Sequence, residues 1–238
     1  MIILLRRRYL IVIVTLLLAA SVASALCFHK SRAEAEPVFS ADRAGETVII
    51  DAGHGGADGG AVSASGVIES NLNLQIAKKT YSLLCFFGQN AVMTRTGEDG
   101  LYDPDSTTIR QKKVADTRNR VKFINSYDPA VLISIHQNIL PNAPKVHGAQ
   151  VFYNTQPHAA ELANSVQSAL NLSINTDNEK AETAIAKTIY IMSHVNCDAL
   201  LVECGFLSNE AETKCLQQSE YQRKLAAAIV CGYLNDKG

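Results

Sequence analysis

Three short apolar runs, each closing on a polar residue, constrain the fold more than any other feature of this chain. They are "VIIDAGH" ending at His54, "VLISIH" ending at His136 and "ALLVE" ending at Glu203. Runs of this length, rich in Val, Ile and Leu and bounded by Gly or polar residues, read as strands buried on both faces. Helical patterns separate them. The expected order is strand Thr47–Asp51, helix from near Asn71 to Phe87 with Gly88 as its stop, strand Ala91–Thr94, and a helix within Thr108–Tyr127. Strands Val131–Ile135 and Gly148–Tyr153, helix His158–Leu170, strands Thr188–Ile191 and Leu200–Val202 and a last helix Ser219–Tyr233 follow. This alternation predicts an α/β domain with a largely parallel sheet covered by helices on both faces. Asn171–Ala186 has the least pattern of the interior and reads as a surface loop.

Residues 1–28 differ in kind. Arg6, Arg7 and Arg8 precede Tyr9–Phe28, which carries no charge. That is the layout of an export signal or a single anchor helix. Ala23-Ser24-Ala25 offers a small-x-small cleavage site, while the run is also long enough to span a bilayer at roughly 20 residues. Both a cleaved signal peptide and a retained N-terminal membrane segment stay open. Leu26 before Cys27 disfavours lipidation there. Residues 29–46 are polar and read as a tether, so the folded domain is expected over 47–238. The five cysteines after Cys27 lack CxxC spacing and read as free, mostly buried thiols. Without Trp, with 6% aromatic residues and a formal charge of −1, the chain has no basic stacking surface for nucleic acid.

In an open α/β sheet ligands gather beyond the carboxyl ends of the strands, where His54, His136 and Glu203 fall. Glu69 lies on the connection leaving the first strand, before the next helix. Two imidazoles and a carboxylate suit Zn²⁺ with one position left for water, and a further carboxylate can carry its proton. Singly, each has a plain structural reading: a hydrogen-bonded histidine, a first-turn acid for Glu69, a buried salt bridge for Glu203. Asp51 reads either as a partner for a ligand imidazole or as a strand-end cap. Asn138 either contacts substrate or fixes the His136 loop, and His147, His158 and His194 lack the strand-end placement. Gly53, Gly55 and Gly56 would admit positive φ and keep side chains out of the site. A phosphate loop is excluded, because Asp58 stands where GxGxxG needs its last glycine and no GK[ST] follows.

The segments "DAGHGGADGGA" (51–61), "GVIES" (66–70), "MTR" (93–95), "RVKFINSYDPAVLISIHQN" (120–138), "GAQVFY" (148–153) and "LLVECGFLSNEAE" (200–212) resemble the zinc-dependent N-acetylmuramoyl-L-alanine amidases of bacterial cell walls, of the amidase 3 type. The resemblance spans Thr47–Leu234 and departs from the family pattern at Ala52 and Cys204. It implies a twisted six-stranded sheet flanked by helices, zinc ligands His54, Glu69 and His136, a catalytic Glu203, and peptidoglycan as substrate. "GAQVFY", "NTDNEKAE" and "VECGFLSN" look most like the germination-specific, spore-cortex amidases, which work with a deacetylase to form muramic-δ-lactam. That likeness implies an accessory lipoprotein or deacetylase partner. Two rivals stay open: another zinc hydrolase of wall polymers, such as a deacetylase, and a non-catalytic anchored wall-binding module.

Overall fold

Ile49 faces one layer of helices and Val48 and Ile50 the other, so a solid apolar strand has two cores to fill. The computed structural model describes residues 45–185 and 189–236. The proposed signal or anchor (1–28) lies outside the described residues, as does the tether apart from Gly45 and Glu46. Strand β1, Thr47–Ala52, lies between β2, Ala91–Met93, and β3, Ala130–Asn138, and β6, Asp198–Phe206, pairs with β3. All four run parallel. β4, Gln150–Tyr153, pairs antiparallel with β6, and β5, Thr183–Ala184, closes the order β2-β1-β3-β6-β4-β5.

Helices α1 (Glu69–Phe86), α3 (Ala159–Ser173) and α6 (Ser219–Asn235) cover one face. Leu72, Ile76, Leu162, Val166, Leu225 and Ile229 pack there on Val48, Ile50, Val131, Ile133, Leu200 and Val202. Gly232 lets α3 and α6 approach closely, since a Cβ there would lie 2.4 Å from the Val166 Cα. Helices α2 (Ile109–Ile124) and α4 (Tyr190–His194) cover the other face, where Ile124, Ile191 and Met192 meet Ile49, Leu132 and Leu201. Thr108 starts α2 with a capping box closed by Gln111. Among the described residues no helix is long and apolar enough to cross a membrane.

Several sequence expectations change. The strand expected over Thr188–Ile191 is absent: Thr188 lies outside the described residues, and Tyr190–His194 is helix α4. Ile191 and Met192 bury themselves as a one-turn helix can, and Tyr190 stacks on His194 four residues later, with ring centroids 3.8 Å apart. The sixth strand is instead β5, inside the segment 171–186 that reads as loop; two ladder residues beside β4 suffice at an edge. Helix α5, Glu210–Leu216, is also new; its signal was the Asn209 cap, whose side chain accepts from the Glu212 N–H. The cysteines are less buried than expected, with Cys85 and Cys231 exposed and Cys204 alone in the core.

Candidate metal centre

β1 and β3 are parallel neighbours, and β1 also pairs with β2 on its other side, so the chain diverges at their carboxyl ends. Such a divergence leaves a crevice. His54 stands two residues past β1 with φ of 59°, a left-handed conformation that a residue with a side chain rarely adopts. Two buried arginines hold it there. Arg120 of α2 donates to the carbonyls of Ala52 (2.8 Å) and His54 (2.6 Å), and Arg95, just after β2, donates to those of Ala52 (2.8 Å), Gly53 (3.1 Å) and Ser70 (2.9 Å). The Ser70 contact ties the turn to the first residues of α1. Burial and the Arg120 charge pull Arg95 down to about 10, a strain the fold accepts to occupy these carbonyls.

Glu69 is the first residue of α1, two residues earlier than the expected start. Its backbone N–H donates to Ala61 (2.9 Å) and that of Ser70 to Gly59 (3.0 Å), which folds the loop after His54 against the helix start. One carboxylate oxygen of Glu69 accepts from Ala61 N–H (2.8 Å), the other from Asn73 Nδ2 and Gln137 N–H (both 3.2 Å). His136 lies inside β3, which continues past it to Asn138. Its Nδ1 is 3.0 Å and the His54 Nε2 3.3 Å from Glu69 Oε1. The imidazoles stand edge to face with centroids 5.0 Å apart. One ligand atom from each of His54, Glu69 and His136 lies within 4.8 Å of the others. Two imidazole nitrogens and one anionic oxygen so arranged can hold a metal ion, which takes the place of the proton on a ligating nitrogen.

Glycines shape this space differently from expectation. Gly55 and Gly56 have φ of 130° and 57°, but Gly53 does not need positive φ. Gly53 supplies room instead: a Cβ there would lie 2.3 Å from the His136 ring.

Asp58, four residues after His54, accepts from its Nδ1 at 3.0 Å, while Lys113 of α2 meets the other Asp58 oxygen at 2.7 Å. This bond turns the His54 Nε2 toward Glu69. Burial alone would lower His54, but Asp58 and Glu69 raise it to about 9; Glu69, despite burial, is held far below the usual carboxylate range by His136 and His54. Asp51 touches neither imidazole. Its carboxylate accepts from Arg120 (2.5 Å), Thr94 (2.7 Å) and Ser134 (2.7 Å), and these outweigh burial to bring it to about 2. It is a core ion pair, not a cap. Asp58, Arg95 and Arg120 carried no role in the sequence reading. The signal that could have found Asp58 is an acid four residues after the histidine, and for the arginines it is a charge embedded in an otherwise buried stretch.

Glu203 lies within β6 rather than at its end, because the strand continues to Phe206. It is the register partner of His136 across β3 and β6. Paired residues of parallel strands project from the same face, and the strands lie about 4.8 Å apart. One Glu203 oxygen, Oε2, is buried and has no hydrogen-bond partner. Burial and the Glu69 charge raise its carboxyl to about 7 against the opposing pull of His136 and His54. Asn138 uses its side-chain oxygen on the Ile139 N–H (2.8 Å), which fixes the strand end. His147, His158 and His194 lie apart from this group, consistent with their sequence reading.

The chain matches the N-acetylmuramoyl-L-alanine amidase family model of the amidase 3 type over residues 48–235. It is 33% identical over 204 residues to the germination-specific N-acetylmuramoyl-L-alanine amidase of Bacillus subtilis, covering 84% of each chain. Among solved structures it resembles the CwlD amidase from Clostridioides difficile in complex with the GerS lipoprotein, with TM-score 0.76 and 34% identity over 80% of this chain and 97% of that one. An N-acetylmuramoyl-L-alanine amidase from Clostridium difficile 630 gives TM-score 0.67 and 32% identity, over 81% and 98% of the two chains. With the His–Glu–His group at the diverging strand ends, these matches establish that the chain belongs to the amidase 3 family of N-acetylmuramoyl-L-alanine amidases.

Proposed function

We propose that this protein is a zinc-dependent hydrolase that cleaves the amide between the lactyl group of N-acetylmuramic acid and L-alanine in peptidoglycan, with spore cortex as its setting. The observation that carries the reading is the buried, unpartnered Oε2 of Glu203 beside His54, Glu69 and His136. A fold that buries a carboxylate oxygen without a protein partner does so at a cost of about 1–3 kcal/mol or more. General-base chemistry explains why that arrangement is worth keeping.

His54 through Nε2, His136 through Nδ1 and Glu69 would hold the ion. Zinc bound there would supply positive charge to polarise the lactyl carbonyl and would bring the pKa of water toward about 7. Glu203 takes a proton from the attacking water at Oε2. Oxygen adds to the lactyl carbon, the C–N bond breaks, and the proton held by Glu203 passes to the departing alanine nitrogen. The products are a free lactyl carboxylate and a peptide with a new amino terminus. Asn138, at the rim, would meet the substrate through its amide nitrogen.

The family and the wall amidases among its relatives support export from the cytoplasm. Residues 1–28 would direct it as a cleaved signal or a retained anchor, 29–46 would act as the tether, and 47–238 would form the catalytic domain. The GerS lipoprotein bound to CwlD supports an accessory lipoprotein here; a deacetylase would be the partner enzyme if the cortex product is a muramic-δ-lactam.

The test is digestion of peptidoglycan, spore cortex included, by the purified protein with and without chelator. Expected products are unsubstituted muramic acid and stem peptides with free N-terminal alanine, lost with chelator and restored by Zn²⁺. Release of acetate with a new sugar amine and no new alanine amine would make the protein a deacetylase. Intact wall with no metal bound would leave the wall-binding module.

The Asp58 bond to His54 gives a second expectation. Asp58→Ala frees the imidazole to rotate and should weaken zinc binding by about 10–100-fold, read by competition with a chromogenic chelator. Wild-type affinity in this variant would make the bond incidental.

A further inference from the structure

The segment 171–182, which reads as an unpatterned loop from sequence, is tied down by side-chain hydrogen bonds from three asparagines. Asn175 is buried and exchanges two hydrogen bonds with Ala149, both 2.8 Å. Asn178 donates to the His147 carbonyl at 2.7 Å, and Asn171 pairs with the Lys180 backbone through Nδ2 (2.8 Å) and Oδ1 (3.1 Å). The result of this stitching is the placement of one side chain. Lys180 packs its stem on Gly148, where a Cβ would lie 3.0 Å from Cε, and sets Nζ 5.6 Å from the Phe206 ring centroid.

Phe206 pairs with Asn138, just past His136, and lies three residues after Glu203 on β6. Lys180 therefore stands over the same sheet edge as the metal group, roughly 10 Å along the strand at about 3.3 Å per residue. Among the described residues it has no carboxylate within ion-pair distance. Glu212, whose charge acts on it, spends its oxygens on the N–H groups of Gly148 and Phe206, both at 2.7 Å. An ammonium near the reaction centre, whose acting carboxylate spends its oxygens on backbone N–H groups, keeps its donors free to receive an anion.

We propose that Lys180 is a specificity residue that binds the free α-carboxylate of the second residue of the stem peptide. The inference rests on the amidase reading above and names what selects its substrate. Two extended residues reach about 7 Å from the scissile amide, and a charge-assisted contact adds about 3 Å, which together span the roughly 10 Å from Glu203 to Phe206. A charge-assisted bond there would serve ground state and transition state alike, so its loss should appear in KM.

The experiment compares wild type, Lys180→Met and Lys180→Arg on N-acetylmuramoyl-L-alanyl-D-isoglutamate and on its α-amide, which differ by one charge. Lys180→Met should raise KM about 10-fold on the acid with kcat nearly unchanged, leave the amide unaffected, and keep the wild-type melting temperature; Lys180→Arg should retain most of the preference. Equal losses on both substrates, or no loss on the acid, would overturn the proposal and return Lys180 to a packing role. Wild-type enzyme that cleaves neither substrate would remove the amidase reading itself, and this inference with it.

Discussion

Glu203→Gln should retain zinc at wild-type stoichiometry and lose turnover by about 10²–10⁴-fold, the range ascribed to a positioned acid–base group. Gln preserves the volume and polarity of a side chain whose Oε2 is buried without a partner, so the fold has no reason to rearrange. What it lacks is the ability to accept a proton. The pH profile sharpens the point. Burial raises the Glu203 carboxyl to about 7. A nearby cation favours the ionised form and moves this value down. The base form is the one above the pKa, so wild-type kcat/KM should climb with pH along a limb whose midpoint is at or below about 7. The residual activity of Glu203→Gln should lack that limb. A variant that binds zinc and still turns over at the wild-type rate would remove Glu203 from the chemistry and leave its buried, unpartnered oxygen without an explanation.

The strand ends were legible because two different patterns coincide there. A run buried on both faces must be apolar throughout, so a histidine or glutamate that interrupts it stands out, as His54, His136 and Glu203 do. What sequence hides is where a strand stops. β3 and β6 run past His136 and Glu203 because Asn138 and Phe206 still find each other across a register shift, a tertiary pairing with no local signature. The short edge strand β5 was hidden for the same reason: Thr183 and Ala184 are exposed and carry no apolar pattern, and only β4 makes them a strand. Arg95 and Arg120 were silent because charged residues read as surface by default, whereas here they fill the turn beneath His54. Asp51 was misread by proximity. It follows the strand toward His54 but points to the α2 side, where Arg120 and Ser134 await it.

His136→Ala should abolish both metal binding and hydrolysis, and the contrast with Glu203→Gln is what assigns the roles. A structural zinc site yields about 10–16 kcal/mol from four ligands, so one lost ligand corresponds to about 3 kcal/mol, at least ~100-fold in affinity. His136 is also not replaceable from nearby. Its ring lies against Gly53 and its Nδ1 faces Glu69, and His147, the next histidine along the chain, turns its Nδ1 to the Lys145 carbonyl. Zinc content after dialysis and the rate of alanine amine release should therefore fall together. The apo proteins should melt alike, since the strand around His136 is held by its ladder to β1 and β6 rather than by the ring. Only the melting increment that zinc gives the wild type should disappear, because that increment is binding energy and nothing else. His158→Ala, at an exposed position whose imidazole faces Glu161, should change none of these readings. If His136→Ala kept its zinc but not its activity, the imidazole would act on the substrate rather than the ion, and the site would have to be rebuilt around His54 and Glu69 with a ligand from elsewhere.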